Sequence, residues 1–257
     1  MIDRLRTIVV TGADRGLGYE LAKQYLERGD FVFAGQYRTK WTLLGDLKEK
    51  YPDHLHTVWM DVRSDESVGK AAAEILARTD AVDILINNAG VWLDHSTGTI
   101  FDTELDFTPM MEQVNVNAFG PLRVTHSLLD AVLNSFDKLI ANISSEAGSV
   151  SNCRKNDQFG YCISKAGTNM QSALIYNAIK PRGGKVVNLH PGWMQSVIGG
   201  PAGPDAEMVE LPTIQDVKFY VTPAESAAGI IAQLEEPERF DAHAPAYINY
   251  RGDVMNY

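Results

Sequence analysis

The stretch Thr7–Gly18 reads TIVVTGADRGLG, and its reading decides the fold. Ile8, Val9 and Val10 form a short apolar, β-branched run, the pattern of a buried strand. Thr11-Gly12 breaks that run, Gly16 and Gly18 follow, and Tyr19–Leu26 has the composition of a helix. Three glycines therefore lie between a strand and a helix, in the order G-x-x-x-G-x-G. Glycine lets a backbone turn tightly and approach a ligand closely. The N–H groups at the start of a helix, with their partial positive charge, suit a phosphate. The same stretch also fits a bare strand-to-helix turn with no ligand.

Working outward, the alternation repeats. Phe31–Ala34, Leu55–Met60 and Val82–Ile86 read as strands two to four, with helices predicted over Trp41–Lys50 and over Asp65–Arg78, the latter capped by Ser64. A helix of several turns is predicted over Thr108–Asn134, a fifth strand over Lys138–Ile143 and a helix over Tyr161–Ile179. A sixth strand over Lys185–Leu189, a helix over Pro223–Leu234 and a seventh strand over Ala246–Asn249 complete the pattern. A β-α-β series of this kind predicts an α/β fold: a Rossmann-like, doubly wound, parallel seven-stranded sheet with right-handed crossovers and helices on both faces. With no repeat, low-complexity tract or linker, residues 1–257 read as one domain, with a Pro- and Gly-rich lid or substrate loop at about 193–222.

Bulk properties narrow the function. The net charge of −10 over 257 residues argues against a general nucleic-acid or anionic-membrane surface. Cys153 and Cys162 have no metal-ligand pattern around them, so no metal is expected and free thiols in a reducing compartment are. The absence of a secretory signal or an apolar run of spanning length leads to an expected cytoplasmic location.

In doubly wound sheets, ligands bind beyond the carboxyl ends of the strands, where the strand order reverses. Unusual residues collect on that edge: the glycines, Arg38, Asp61, Asn87–Gly90, Ser144-Ser145 and Pro191-Gly192. Tyr161 and Lys165, four apart at the start of a helix, share one face. An ammonium beside a phenol stabilises the phenolate and draws its pKa down from about 10. Such a tyrosine can exchange a proton with a carbonyl or alcohol oxygen. Taken alone, the pair also fits an ordinary amphipathic surface.

Together these motifs resemble the short-chain dehydrogenase/reductase (SDR) family, in its compact single-domain branch, over nearly the whole chain. Thr11–Gly18 matches the cofactor loop T-G-x-x-x-G-x-G. Asn87-Asn88-Ala89-Gly90 matches N-N-A-G, Tyr161–Lys165 matches Y-x-x-x-K, and Pro191-Gly192 resembles the P-G after strand 6. His190–Trp193, Gly199-Gly200 and Glu225–Gly229 look like the carbonyl-reductase subgroup related to sniffer, from which Gln195-Ser196-Val197 departs where a Thr-Asp pair is common. The resemblance implies a catalytic set of Asn117, Ser145, Tyr161 and Lys165. Asn117 is preferred to Asn115 because Val116-Asn117-Ala118-Phe119-Gly120 fits the family register. Ser144 stays open beside Ser145, because the chain between the serines and Tyr161 is a few residues longer than the family pattern.

The resemblance further implies cofactor binding by Gly12, Arg15, Gly16, Leu17, Gly18, Arg38, Asp61, Val62, Asn88, Ala89, Gly90, Tyr161, Lys165, Pro191 and Gly192. Asp61 and Val62 would hold the adenine. The second strand runs into Gly35-Gln36-Tyr37-Arg38 with no acid to bind a ribose 2′-hydroxyl. Arg38 can contact a 2′-phosphate bidentately, and Arg15, just before Gly16, stands where the resemblance implies a basic residue in NADP-preferring members, so NADP(H) is preferred over NAD(H). Trp92, Ser145, Trp193 and Met194 would line an apolar substrate pocket. The expected activity is NADP(H)-dependent oxidoreduction of a carbonyl or alcohol on a small molecule. The alternatives are a non-catalytic NADP(H)-binding regulator or interaction protein on the same fold, and an epimerase or dehydratase of the extended branch. A homodimer or homotetramer, with no nucleic-acid or membrane partner, is implied by the resemblance.

Overall fold

The computed structural model describes residues 4–93, 99–101, 105–194, 198, 204–205, 221–240 and 244–257. Among the described residues, seven strands form one sheet in the order β3-β2-β1-β4-β5-β6-β7, every neighbouring pair parallel. The strands are β1 (Thr7–Val10), β2 (Phe31–Gln36), β3 (Leu55–Trp59), β4 (Ile84–Asn87), β5 (Leu139–Ile143), β6 (Lys185–His190) and β7 (Ala246–Asn249). The order reverses between β1 and β4, which pair Ile8 with Ile84 and Val10 with Ile86.

Strand β1 shows why such a sheet needs cover on both sides. Ile8 and Val10 point into a core shared with α1 (Gly16–Glu27), α2 (Leu43–Lys50) and α7 (Pro223–Leu234). Val9 points the other way, into a core shared with α3 (Asp65–Leu76), α5 (Gly120–Asn134) and α6 (Phe159–Ile179). All three side chains are fully buried. Each such aliphatic side chain contributes about 2 kcal/mol of burial free energy.

Most expected elements fall where the sequence puts them, with shifts at their ends. The second helix starts at Leu43 rather than Trp41, and Trp41 instead buries its ring beside the cavity described below. Strand β4 starts at Ile84; Asp83 just before it bonds through its backbone to Thr7 and Leu139, and its carboxylate accepts from the Thr7 N–H at 2.9 Å and pairs with Arg4. Gly16 and Gly18 belong to the first turn of α1 rather than to the loop before it. The long helix expected over Thr108–Asn134 is α4 (Phe107–Val114), a π-helical turn (Asn115–Phe119) and α5 in succession. Single π turns of this kind insert an extra residue and re-aim side chains, often at functional sites.

A row of buried amides crosses the sheet. Asn87, Asn142 and Asn188 are in register on β4, β5 and β6. Asn87 donates to Asn142 at 2.8 Å, Asn142 donates to Ser172 of α6 at 2.8 Å, and the Ser172 hydroxyl donates to Asn188 at 2.7 Å. Apart from the Asn87 Oδ1, which is buried without a partner, the amides of the row are paired, and such networks rigidify what they join. This one fixes α6, the helix carrying Tyr161 and Lys165, on the central strands.

Candidate active site

A cavity of about 270 Å³ opens at the carboxyl ends of β1–β6, across the point where the strand order reverses. One end is lined by Gly12, Arg15, Gly16, Leu17, Gly18, Arg38, Asp61 and Val62; the other by Tyr161, Lys165, Pro191, Met194 and Ile198; Asn88, Ala89 and Gly90 lie between.

The glycine loop is built for an approaching ligand. Gly16 has φ +53°, and a Cβ there would meet nothing within 4 Å, so the space over it is open. At Gly18 the constraint is contact: a Cβ would lie 2.2 Å from the Gly12 carbonyl oxygen and 2.5 Å from Asn88 Nδ2. That contact joins the loop to the 87–90 segment. Asn88 Nδ2 donates to the Thr11 and Gly12 carbonyls at 2.9 and 3.0 Å, and the buried Thr11 hydroxyl accepts from the N–H groups of Asn88 and Ala89. Helices α3 and α7 are capped by Ser64 and Thr222, whereas Arg15 gives α1 no side-chain cap. α2, α5 and α6 lack such a cap as well, but at the start of α1 Arg15, Gly16, Leu17 and Gly18 all lie in the cavity wall, where the first-turn N–H groups can take an anion.

Two arginines flank one indole beyond the loop. The guanidinium carbons of Arg15 and Arg38 lie 5.1 and 6.0 Å from the Trp41 ring centroid. The sequence shows no acid at the end of β2, yet the fold brings one there. Asp14, from the glycine loop, accepts from the N–H groups of Tyr37 at 3.2 Å and Arg38 at 2.7 Å. Burial lowers the pKa of Arg15, the Asp14 carboxylate opposes that, and Arg38 adds to it. Two cations and one carboxylate thus meet around the Trp41 ring, while further along the wall Arg63 is paired with Asp61 and Glu112.

At the opposite end, Lys165 is buried and donates to the Ile143 carbonyl at 3.0 Å. Burial pulls its pKa down to about 8. Its nitrogen lies 5.7 Å from the Tyr161 ring centroid. The structure departs from the expectation that Lys165 draws the Tyr161 phenol toward neutrality. Burial pushes the phenol up to about 12, and a hydrogen bond with Ser145 works against that rise. Burial dominates there, and the Lys165 ammonium is turned to the Ile143 carbonyl. The serines differ: Ser144 lines the cavity and its hydroxyl donates to Asn169 at 2.7 Å, while Ser145 does not line it but pairs with Tyr161 and accepts from the Ala147 N–H. Tyr247 donates to the Ser145 carbonyl and so holds the loop from β7.

Asn117 sits in the π turn, buried, and does not line the cavity. Its amide accepts from the Val91 N–H and donates to the Val91 carbonyl, each at 2.8 Å, and donates to Ser164 of α6 at 2.9 Å. Asn115 uses its backbone carbonyl on Arg123. One turn before Asn117, Gln113 is fully buried and accepts from the Leu93 N–H at 2.9 Å. Together the two amides grip alternate residues of 91–93 and set Trp92 6.0 Å from the Tyr161 ring. Sequence reasoning missed Gln113, whose partner is a backbone group with no side-chain signature.

Gly192 (φ +84°) and Trp193, half exposed, stand beside the cavity rather than in its wall. Gln195-Ser196-Val197 and most of the expected lid lie outside the described residues. Among the described residues, no group of three or more His, Cys, Asp or Glu could hold a metal ion, and no helix is long and apolar enough to cross a membrane.

A family model described as short chain dehydrogenase matches residues 6–206. An uncharacterized oxidoreductase of Schizosaccharomyces pombe is 28% identical over 256 residues, covering 96% of each chain. A crystal structure of NADPH-bound carbonyl reductase from chicken fatty liver superposes with a TM-score of 0.81 at 28% identity, covering 99% of this chain and 100% of that one. The carbonyl reductase Sniffer of Drosophila melanogaster shares the fold, with a TM-score of 0.79 at 20% identity over 99% of this chain and all of the other.

Proposed function

The chain belongs to the short-chain dehydrogenase family, and from that premise we propose that it transfers a hydride between NADP(H) and the carbonyl or alcohol of a small, apolar substrate. It is an oxidoreductase acting on CH–OH and C=O groups. The observation that carries the finer reading is the pairing of Tyr161 with Ser145, backed by the buried Lys165, at one end of a cavity whose other end is an uncapped helix start.

The residues fit a dinucleotide. The open space over Gly16 and the free first turn of α1 suit a pyrophosphate. Arg15 and Arg38 suit a 2′-phosphate, and Asp61 with Val62 suits the adenine. A relative bound to NADPH supports the same preference. The reduced nicotinamide, when bound, supplies the hydride. In the reductive direction the Tyr161 phenol gives its proton to the substrate oxygen as the carbonyl carbon is reduced. That phenol is protonated at pH 7 and has a proton to give; burial pushes it up to about 12, so a neighbouring positive charge has to draw that value down for the transfer to be efficient. Ser145 shares the substrate oxygen and steadies the phenolate left behind. The Lys165 ammonium holds the nicotinamide ribose and stabilises that phenolate. Asn117 keeps the 91–93 wall and Ser164 in place behind Lys165 and holds a water for proton resupply.

Trp92, Leu93, Met194 and Ile198 support an apolar substrate. The single continuous sheet of seven strands supports one domain. Exposed Phe107, Met111, Phe119, Ile163, Met170 and Leu174 on α4, the π turn and α6 support a homodimer or homotetramer. Neither Cys153 nor Cys162 forms a disulfide, which supports a reducing, cytoplasmic setting.

Loss of NADPH absorbance across a panel of aromatic and aliphatic ketones and aldehydes tests the reading. Turnover with a KM for NADPH well below that for NADH is expected. Tight NADPH binding with no turnover on any member would favour a cofactor-binding regulator instead. Equal or reversed KM values would remove the 2′-phosphate assignment.

A further inference from the structure

At the adenine end of the cavity, Arg63 makes more contacts than its place in the sequence suggests. Its Nε donates to Asp61 Oδ1 at 2.8 Å, one terminal nitrogen donates to Oδ2 at 2.7 Å, and its own backbone N–H donates to Oδ1 at 3.0 Å. The other terminal nitrogen donates to Glu112 of α4 at 2.8 Å, and the first also donates to the Tyr37 hydroxyl at 2.6 Å. The guanidinium carbon stands 5.2 Å from the Tyr37 ring centroid. Tyr37, Asp61, Arg63 and Glu112 all line the cavity, and they come from the ends of β2 and β3 and from α4. One guanidinium thus ties three elements together across the mouth.

An ionised carboxylate offers about four acceptor positions. Arg63 occupies three on Asp61, in a planar fork that fixes the rotation of the group. Burial works to raise the Asp61 carboxyl, and the Arg63 hydrogen bonds and charge more than offset it, so Asp61 stays ionised below the usual carboxylate range. Lysine could not do this, having a point charge where arginine has a fork.

We propose that Arg63 is a positioning residue for the cofactor, holding the Asp61 carboxylate so that its remaining acceptor position reads the exocyclic amine of an adenine. This rests on the reading that a dinucleotide occupies the cavity. Arg63 therefore sets base selectivity through Asp61, and its bonds to Tyr37 and Glu112 keep the fork in place when the site is empty.

The test compares NADPH with its hypoxanthine analogue, which carries a carbonyl in place of that amine. Dissociation constants are measured by fluorescence titration for wild type, Arg63→Met and Arg63→Lys, alongside reduced nicotinamide mononucleotide, which lacks the adenosine half. The wild type is expected to prefer NADPH by on the order of tenfold, the worth of one hydrogen bond to a charged acceptor. In Arg63→Met the preference should fall to within about twofold, with Arg63→Lys between, while mononucleotide binding stays unchanged and so reports that the variant is folded. An equal loss for both dinucleotides with the preference intact would make Arg63 merely structural and overturn the proposal. A preference that grows in Arg63→Met would mean that Arg63 competes with the amine, and would also overturn it. A wild type that binds both dinucleotides equally well removes the role of Asp61 while leaving the cofactor reading standing. A wild type that binds neither removes the cofactor reading, and this proposal with it.

Discussion

Replacing Lys165 with methionine removes one buried ammonium and one titration. In the folded protein that ammonium is buried, with the Ile143 carbonyl as its hydrogen-bond acceptor, and its pKa falls from 10.5 to about 8. The unfolded chain keeps the ordinary value and binds more protons than the folded chain between these two values, so wild-type stability rises with pH through that window. The shift corresponds to about 3 kcal/mol in full, of which about 2 kcal/mol is recovered between pH 7 and 10. For a chain of this size that recovery is on the order of 5 °C in Tm. The assay is thermal or urea unfolding of wild type and Lys165→Met, without cofactor, from pH 7 to 10. Every other titrating group is shared, so the difference between the two curves isolates Lys165. The wild type should gain on the variant as pH rises. Parallel curves, or a wild type that loses ground, would refute the claim that the site holds a desolvated cation at neutral pH. The same ionisation should lower the wild-type reduction rate above about pH 8, because a neutral amine cannot stabilise the tyrosinate.

Two further outcomes follow from the geometry. Gln113→Leu leaves the Leu93 N–H without its acceptor, at a cost of about 1 kcal/mol; steady-state kinetics should show KM for an aromatic ketone rising several-fold while kcat changes less, because the Trp92 wall shifts and the proton donor does not. Ser145→Ala should lower kcat by on the order of a hundredfold, whereas Ser144→Ala, which breaks the tie to Asn169, should lower Tm and leave kcat within a few-fold; the reverse pattern would exchange the two serines.

The parallel sheet was legible because its strands are short β-branched runs, each followed by residues that cannot continue a strand. Ile8–Val10 with Thr11-Gly12 after them are the plainest case. Asn88, Ala89 and Gly90 fell beside the glycine loop as the motif order implied, since Thr11 and Asn88 bond directly. What sequence could not show depends on long-range placement. Asp14 reaches the end of β2 only because the loop folds back over it, so reading residues 34–39 for an acid missed the one that matters. The π turn at Asn115–Phe119 adds a residue without altering the apolar pattern around it. Arg63 looked like an ordinary charge after Asp61-Val62, and its other partners lie 26 and 49 residues away. The Tyr161 phenol was misjudged for a related reason. Helical spacing predicts the neighbour at Lys165 but not the burial that opposes it, nor the carbonyl toward which the ammonium turns.

The most direct test of the central claim is single-turnover oxidation of bound NADPH by wild type and Tyr161→Phe, with one ketone at saturation. The phenol is assigned the proton transfer, and in holding the dinucleotide it is one contact among the many along the cavity wall. Tyr161→Phe should therefore bind NADPH within about twofold of wild type and transfer hydride on the order of 10²–10⁴ times more slowly. Equal rates in the two proteins would contradict the account, since some other group would then be supplying the proton.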